Sequence, residues 1–320
     1  MDLQNKIILV TGSAGFIGSH TCEYLLKNTK SKIIGLDNMN DYYDVKIKEK
    51  NIELLEQFPN FSFVKGDIRN TNLIENEKPE IIIHLASMAG VRYSIKNPSL
   101  YESVNINGFI HILEEARKNN VRHIVYASSS SVYGLNKKVP FSETDDLKQC
   151  NSPYACSKLC MENYAQCYAQ LYNMSLIGLR FFTVYGPRGR PDMAPYKFMK
   201  SIQEGTTLTK YGDGTTSRDY TFIDDIVEGV ISASKQIKSG TSTIYNLGNK
   251  TPITLNKFIK TCEEVIGKKA HIVNMEMQLG DVPHTYADIS KAKRDLGYEP
   301  KISLKEGLSF FYKEQFLSTK

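Results

Sequence analysis

The chain has 320 residues, of which 41% are hydrophobic and 23% are charged, and its formal net charge at pH 7 is +5. These proportions are ordinary for a water-soluble globular protein, and no apolar run reaches the roughly 18 residues that a membrane span needs. Lysine and arginine are scattered along the chain, which argues against nucleic acid or a membrane as a partner and suits a small anionic ligand.

The N-terminal residues and the cysteines both predict a cytoplasmic protein. Residues 1–6 are polar and lead directly into an apolar strand, so they do not predict a signal peptide. The six cysteines form no Cys-x-x-Cys pair and no disulfide-like framework, which indicates reduced thiols. No metal site is predicted.

A glycine-rich turn follows the first predicted strand, residues 7–10, and precedes a helix predicted over residues 19–27. Such a turn lets the backbone approach a pyrophosphate, which binds at the helix N-terminus. The second predicted strand, residues 32–36, ends at Asp37, about 20 residues after the last glycine. A carboxylate at that distance binds ribose hydroxyls and repels a 2′-phosphate, so the pattern predicts NAD rather than NADP. The glycines of the turn are Gly12, Gly15 and Gly18.

Further strands alternate with helices over the first 180 residues or so. The third strand is followed by Asp67, which we expect to reach the adenine, and a helix predicted over residues 101–119 carries Asn105. The fifth strand, residues 121–127, delivers the run Ser128–Ser131 at its carboxyl end, where open α/β sheets bind ligands. The remaining predicted strands cover residues 61–64, 80–86 and 174–180. This alternation predicts an α/β, Rossmann-type, doubly wound parallel sheet.

Tyr154 and Lys158 stand four residues apart on a predicted helix and therefore share one of its faces. Ser152 is a good N-cap, Pro153 suits the first helical position, and the helical pattern continues to residue 171. A lysine ammonium beside a phenol is expected to lower a tyrosine pKa that is ordinarily about 10. The pair therefore predicts a base that removes a proton from an alcohol.

The regular alternation ends near residue 180. Residues 181–193 form a loop rich in glycine, proline and arginine, which predicts a binding loop and a boundary between two lobes. We divide the chain into a dinucleotide-binding domain, residues 1–180, and a smaller C-terminal substrate-binding lobe, residues 181–320, with an approximate, interleaved boundary. Beyond the loop, helices are predicted over residues 196–204, 226–237, 255–266 and 303–316, and a strand over residues 243–247.

Taken together, these residues resemble the extended short-chain dehydrogenase/reductase family, and within it the nucleotide-sugar epimerases. The resemblance covers essentially the whole chain, because the motifs follow one another in the order typical of the family. Residues 37–44, 180–194 and 280–288 are most similar to UDP-glucuronate 4-epimerases. The motifs that carry the resemblance are the glycine turn, Asp37, Asn105, Ser128–Ser131, the Tyr154/Lys158 pair and Arg218-Asp219.

The resemblance implies a role for each matching residue. The catalytic residues would be Ser129, Tyr154 and Lys158. Contacts to NAD would come from Gly12, Gly15, Phe16, Ile17, Gly18, Asp37, Asn38, Asp67, Ile68, Leu85, Ala86, Asn105, Tyr154, Lys158 and Phe182. Contacts to the UDP-sugar would come from Ser130, Ser131, Thr183, Arg190, Met193, Tyr211, Arg218 and Asp281.

Two departures from related enzymes narrow the range of activities that the resemblance implies. UDP-galactose epimerases usually carry a diphosphate-binding arginine where this chain has Gln278, so diphosphate binding would rest on Arg218, alone or together with another basic residue. Sugar 4,6-dehydratases and nucleotide-sugar decarboxylases place acidic residues after the catalytic hydroxyl residue. Here Ser130 and Ser131 offer hydroxyls only, so the general acid of those reactions is missing.

The resemblance therefore implies reversible 4-epimerisation of a UDP-hexuronic acid, UDP-glucuronate to UDP-galacturonate, through a 4-keto intermediate and transient NADH. Two alternatives stay open: a 4-epimerase of UDP-glucose or UDP-N-acetylglucosamine, and a non-catalytic NAD-binding protein. The small residue Thr285 stands where the family gates pocket size, so an N-acetyl group is not excluded. The resemblance also implies a homodimer and a place in polysaccharide biosynthesis.

Overall fold

The computed structural model describes residues 1–147, 149–276 and 282–317, and its centre is a sheet of seven parallel strands. The strands of the chain are β1 (Ile7–Thr11), β2 (Lys32–Asp37), β3 (Phe61–Lys65), β4 (Ile81–His84), β5 (His123–Ser129), β6 (Ser175–Phe181), β7 (Thr183–Tyr185), β8 (Thr207–Tyr211), β9 (Ser217–Phe222), β10 (Thr241–Leu247), β11 (Pro252–Thr254), β12 (His271–Met275) and β13 (His284–Thr285). The order in the central sheet is β10-β6-β5-β4-β1-β2-β3, which confirms the predicted Rossmann-type fold.

Helices cover both faces of this sheet. The α-helices are α1 (Phe16–Asn28), α2 (Val45–Leu55), α3 (Leu73–Glu77), α4 (Val91–Lys96), α5 (Pro98–Tyr101), α6 (Gly108–Lys118), α7 (Pro153–Tyr172), α8 (Ala194–Glu204), α9 (Ile223–Ser234), α10 (Leu255–Ile266), α11 (Ser290–Leu296) and α12 (Leu304–Tyr312). Because both sheet faces are covered, every residue of β4, β5 and β6 is buried, as expected for parallel strands that read as continuous apolar runs. None of the helices in the described ranges is long and apolar enough to cross a bilayer.

The strand order reverses between β1 and β4, where the glycine turn lies. β2 and β3 extend the sheet on one side of β1, while β4, β5, β6 and β10 extend it on the other. Ligands bind at this kind of switch point, outside the carboxyl ends of the strands. Helix α1 begins at Phe16, three residues earlier than predicted, because Gly15 is already the extended N-cap residue that ends the turn.

Helix α2 was not predicted, and the reason lies in its inward face. Four of its residues are buried, and two of them, Lys48 and Asn51, are polar, so the apolar period of a helix is obscured. Asp44 caps the helix by accepting a hydrogen bond from the Lys46 amide at 3.0 Å. Asn51 donates from Nδ2 to the Ala14 carbonyl at 2.8 Å, which fixes α2 against the glycine turn.

The predicted helix over residues 101–119 is three consecutive helical segments. Helix α5 leads into a π-helical segment, Glu102–Asn107, and then into α6. The wider turn buries Asn105 completely. The predicted helix over residues 303–316 likewise consists of α12 and a π-helical segment, Lys313–Leu317.

The C-terminal part of the chain, which we propose as a smaller lobe, also returns to the central sheet. Strands β7, β9, β11 and β13 form a second sheet, and β8 pairs with β12. Strand β10 joins the edge of the central sheet beside β6, and α9 packs on α1 and β5. We therefore keep the division at residue 180 as a proposal for two interleaved lobes.

Candidate active site

A cleft of about 1160 Å³ runs along the carboxyl ends of the central strands and continues into the smaller lobe. Its walls come from the glycine turn, the ends of β2, β4 and β5, the start of α7, and the segments around β7, β8 and β9. The opening therefore spans the two lobes and suits an elongated ligand. The predicted site residues that line it are Gly12, Gly15, Phe16, Ile17, Gly18, Asp37, Asn38, Ile68, Leu85, Ala86, Ser129, Ser130, Ser131, Tyr154, Lys158, Phe182, Thr183, Arg190, Met193, Tyr211 and Arg218.

The glycine turn has the geometry of a pyrophosphate cradle. Gly12 has a φ of +73°, and a Cβ there would lie 2.8 Å from the Ala86 backbone nitrogen. A Cβ at Gly18 would lie 2.0 Å from the Gly12 carbonyl oxygen, so only glycine permits this close packing of α1 on the turn. The first amides of α1 have no partner within the helix and lie beside the cleft, where they suit an anion.

The far end of the same cradle carries a buried ion pair. The Lys48 ammonium lies 3.4 Å from the Asp37 carboxylate. Asp67, by contrast, is not a lining residue, because its carboxylate is held by the Arg69 guanidinium at 2.9 and 2.8 Å. These hydrogen bonds lower the pKa of Asp67 to about 2. The Asp67 carboxylate also accepts a hydrogen bond from Asn38 at 3.3 Å and supports that lining residue, and its contact with the adenine stays a prediction.

Asn105 supports the cleft from behind its wall and does not line it. Its Nδ2 donates to the Met88 carbonyl at 2.9 Å and to the Ser157 hydroxyl at 3.0 Å, and its Oδ1 accepts from the Met88 amide at 2.7 Å. These bonds join the segment after β4 to helix α7. Asn105 therefore holds the surroundings of Lys158, next to Ser157, as the sequence predicted, and its direct contact with the cofactor stays a prediction.

Helix α7 brings Tyr154 and Lys158 to the centre of the cleft. The Ser152 hydroxyl caps the helix by accepting a hydrogen bond from the Ala155 amide at 3.1 Å, as predicted. The Lys158 Nζ lies 6.0 Å from the centre of the Tyr154 ring and donates to the Ala127 carbonyl at 2.8 Å. The Ser129 hydroxyl, two residues further along β5, is a hydrogen-bond partner of the Tyr154 side chain. The three predicted catalytic residues therefore meet.

The pKa values of the pair differ from the expectation. Burial raises the pKa of Tyr154, and this outweighs the hydrogen bond from Ser129 and the positive charge of Arg190, which both lower it. Burial lowers the pKa of Lys158 to about 7, although the charge of Glu162 opposes the shift. The prediction that the chain itself lowers the Tyr154 pKa is wrong, because the burial that brings the two groups together also desolvates both charged forms.

A buried polar network lies directly behind these residues. The Glu162 carboxylate accepts hydrogen bonds from the Ser128 hydroxyl at 2.5 Å and from the Arg180 guanidinium at 2.9 and 2.7 Å. Arg180 also donates to the Tyr133 hydroxyl at 2.9 Å, which in turn donates to Asn246 at 2.7 Å. The network joins α7 to the ends of β5, β6 and β10, and it thereby fixes the strand that presents Ser129.

Hydroxyl groups line the cleft close to Ser129. Ser130 and Ser131 lie on a 3-10 turn directly after β5, where the Ser131 amide donates to the Ser129 hydroxyl at 3.1 Å. Thr183 lies at the start of β7. Arg218 also lines the cleft and donates to the Ser217 carbonyl at 2.9 Å. Asp281 and Gln278 lie outside the described residues.

Arg190 faces the catalytic tyrosine from the loop after β7. Its Nε lies 3.0 Å and its Nη2 lies 2.5 Å from the two oxygens of Asp192. The Tyr42 hydroxyl donates to the same carboxylate at 3.1 Å, and the guanidinium lies 5.3 Å from the centre of the Tyr42 ring. Arg190 was predicted from the sequence as a site residue, whereas Tyr42, Lys48 and Asp192 were not. Tyr42 could have been found, because it lies within residues 37–44, which carry part of the family resemblance.

Comparisons with known proteins agree with this geometry. A family model described as GDP-mannose 4,6 dehydratase matches residues 9–310. UDP-glucuronate 4-epimerase 4 of Arabidopsis thaliana is 43% identical over 325 residues, which cover 95% of this chain and 74% of that protein. Protein CapI of Staphylococcus aureus is 42% identical over 324 residues, which cover 95% of this chain and 96% of that protein. The crystal structure of UDP-glucuronic acid 4-epimerase from Bacillus cereus, in complex with UDP-glucuronic acid and NAD, is similar with a TM-score of 0.90 and 38% identity, covering 96% of this chain and 98% of that one.

Proposed function

The chain belongs to the GDP-mannose 4,6-dehydratase family of extended short-chain dehydrogenases/reductases, and from this membership we propose that it is an NAD-dependent UDP-sugar 4-epimerase, an isomerase. Its reaction is the reversible conversion of UDP-glucuronate to UDP-galacturonate. The observation that carries this assignment is the cleft itself. It joins a dinucleotide cradle to Ser129, Tyr154 and Lys158, and its lining includes the hydroxyl groups of Ser130, Ser131 and Thr183 and the guanidinium of Arg190, which would surround the sugar.

The residues of the cradle fit NAD. The glycine turn and the first amides of α1 would hold the pyrophosphate, and Asp37 would bind the adenosine ribose. When bound, NAD would supply a reversible hydride acceptor for C4 of the sugar, and the positive charge of its nicotinamide would favour the Tyr154 phenolate.

The chain's own groups handle the proton and the orientation of the sugar. Tyr154, as the phenolate, takes the proton of the 4-hydroxyl directly or through Ser129, and it returns the proton at the end of the cycle. Lys158 fixes the position of the tyrosine and supplies positive charge in its protonated form. Since the 4-keto sugar receives hydride on its other face, it must turn over within the cleft before the return step.

A hexuronic acid substrate introduces a side reaction, because its 4-keto form is a β-keto acid that loses CO₂ easily. Decarboxylation is fastest when the bond to the carboxylate lies along the carbonyl π system. We propose that Ser130, Ser131, Thr183 and Arg190 hold the carboxylate near the carbonyl plane and so suppress the loss. All four line the cleft, and neither residue after Ser129 is an acid that could protonate the carbanion.

A 4-epimerase of UDP-glucose or UDP-N-acetylglucosamine is the second candidate, because the small residue Thr285 lines the cleft and leaves room for an N-acetyl group. The deciding experiment incubates the purified protein with UDP-glucuronate, UDP-glucose and UDP-N-acetylglucosamine in separate NMR tubes. We expect UDP-galacturonate in the first tube. Turnover confined to the neutral sugars would overturn the assignment, and no turnover in any tube would point to a non-catalytic NAD-binding protein.

We also propose a homodimer that acts in the cytoplasm on precursors for polysaccharide biosynthesis, with no nucleic-acid or membrane partner. Helix α7 supports the dimer, because its outward face carries Tyr164, which is 39% exposed, and Leu171, which is 71% exposed. In the family that the chain resembles, this helix and the helix around Asn105 pair with their copies in a second subunit. Six free cysteines support a reducing compartment.

A further inference from the structure

The Arg190 guanidinium is held at one edge only. Its Nε and Nη2 contact Asp192, and Nη2 also lies 3.4 Å from the Tyr42 hydroxyl. No residue in the described ranges accepts a hydrogen bond from Nη1. An arginine presents two edges that can each pair with a carboxylate, and here one edge is already used by the protein. The edge that includes Nη1 is therefore the one available to a ligand in the cleft.

We propose that Tyr42 and Asp192 are positioning residues that fix Arg190 so that its Nη1 edge meets the carboxylate of a UDP-hexuronic acid. This inference rests on the proposed function and names the residues that give it specificity. In this arrangement Asp192 is not a competitor of the sugar carboxylate, because the two anions occupy different edges of one planar cation. Asp192 also neutralises a guanidinium whose side chain is only 18% exposed.

Tyr42 is held rigidly enough to act in this way. Between Asp37 and Tyr42, three backbone amides donate to side-chain oxygens two residues earlier: Met39 to Asp37 at 2.8 Å, Asn40 to Asn38 at 3.1 Å, and Tyr42 to Asn40 at 3.2 Å. These consecutive Asx-type turns fix the segment without a helix or a strand. The segment begins at the residue expected to bind the cofactor ribose and ends at the residue that holds Asp192.

The other side of Tyr42 is equally constrained. The Tyr42 ring packs edge-on against the Tyr93 ring, with 4.9 Å between their centres. Gly90 closes the remaining side, since a Cβ there would lie 3.1 Å from the Tyr42 hydroxyl and 3.5 Å from Nη2 of Arg190. Gly90 also has a φ of +102°, which favours glycine. Tyr42 and Arg190 therefore have little freedom to move relative to each other.

The test compares binding of UDP-glucuronate and UDP-glucose to the NAD-containing protein by calorimetry. The variants are Tyr42→Phe, Asp192→Asn, Arg190→Ala and the double variant Tyr42→Phe/Arg190→Ala. We expect Tyr42→Phe and Asp192→Asn each to weaken UDP-glucuronate about 3- to 10-fold, the range for one hydrogen bond or charge contact, and to change UDP-glucose less than about twofold. In the Arg190→Ala background, Tyr42→Phe should add no further loss, because its effect acts through the missing guanidinium.

Tyr93→Phe is the matched control, since it removes a hydroxyl from the neighbouring ring and leaves the edge-on packing against Tyr42 in place. We expect it to change the affinity of neither sugar. Tighter UDP-glucuronate binding in Asp192→Asn would overturn the proposal and make Asp192 a competitor of the substrate. Equal weakening of both sugars by Tyr42→Phe would also overturn it and leave Tyr42 with a structural role. If Arg190→Ala weakens the binding of both sugars equally, Arg190 itself has no carboxylate role. That result is distinct from a failure of the proposed function, which would show as the absence of UDP-galacturonate in the turnover assay.

Discussion

The Asp37 carboxylate and the Lys48 ammonium form a buried ion pair at 3.4 Å, with only 8% and 5% of the two side chains exposed. Asp37 ends strand β2, and Lys48 comes from helix α2. In the chain, the segment that contains Tyr42 lies between these two elements. Each charge needs the other, because a buried charge without a partner is strongly unfavourable. The end of the cradle that would bind the ribose therefore carries one anion and one cation in fixed positions relative to each other.

This pair predicts the cofactor and a way to change it. The purified protein should carry NAD(H), because the Asp37 carboxylate repels a 2′-phosphate. In Asp37→Ser the Lys48 ammonium would be left unpaired and could bind that phosphate, so affinity for NADP relative to NAD should rise. Chromatography of the released cofactor and fluorescence titration with both cofactors measure this. NADP(H) bound to the unaltered protein would contradict the assignment.

The catalytic role of Tyr154 predicts a large effect from the loss of one oxygen. Tyr154→Phe should lower turnover of UDP-glucuronate at least ~100-fold, the scale of a lost general base. Its NAD content should stay unchanged, because the ring and Lys158 are kept. Turnover by NMR and cofactor content by absorbance are measured on the same sample. Near-normal turnover in Tyr154→Phe would remove the tyrosine from the mechanism.

The carboxylate role of Arg190 predicts a change in product as well as in rate. Arg190→Ala should impair UDP-glucuronate far more than UDP-glucose, since a neutral sugar has no carboxylate to orient. For UDP-glucuronate the loss is measured as reduced turnover, and for UDP-glucose it is measured as reduced binding. The variant should also release a trace of decarboxylated 4-keto-pentose product, detectable by mass spectrometry. If acidic and neutral sugars suffer equally and no such product forms, Arg190 is a diphosphate ligand in place of the arginine missing at Gln278. Carboxylate control would then rest on Ser130, Ser131 and Thr183.

The network behind the catalytic residues predicts a stability effect. Glu162→Ala should lower the free energy of unfolding by about 3–5 kcal/mol, because it leaves the Arg180 guanidinium buried and unpaired. The side chains of this pair are 7% and 4% exposed. Glu299→Ala is the control, since its partner Lys293 and Glu299 are 55% and 53% exposed and their ion pair should contribute nothing measurable. Urea unfolding measures both, and equal midpoints would contradict the prediction.

The proposed dimer can be tested on the outward face of α7. Light scattering at micromolar concentration should give twice the chain mass of 36.2 kDa. Tyr164→Arg should shift the population toward monomers, because it places two like charges at a two-fold interface. Ile237→Arg, at a position just after α9 that is 46% exposed, makes the same charge change of +1 and should leave the mass unaltered. A monomeric unaltered protein would refute the dimer.

Local patterns in the sequence determined the parts of the site that depend on secondary structure. Strand, glycine turn and helix follow one another along the chain, so Gly12, Gly18 and Asp37 could be placed from spacing alone. The N-cap and the four-residue spacing did the same for Tyr154 and Lys158. Because parallel strands end at one edge of the sheet, the serine run after β5 could also be assigned to the cleft before any contact was known.

The tertiary structure decided which partner each side chain has. Asp67 pairs with its neighbour Arg69, whereas Arg190 and Tyr42 meet although 148 residues separate them. Lys48 lies on helix α2, which the apolar pattern did not predict because two of the four residues on its buried face are polar. The pKa of Tyr154 also depends on burial, which no spacing reveals. Partners and burial depend on residues that are distant in the chain, and these come together only when the sheet and both lobes have assembled.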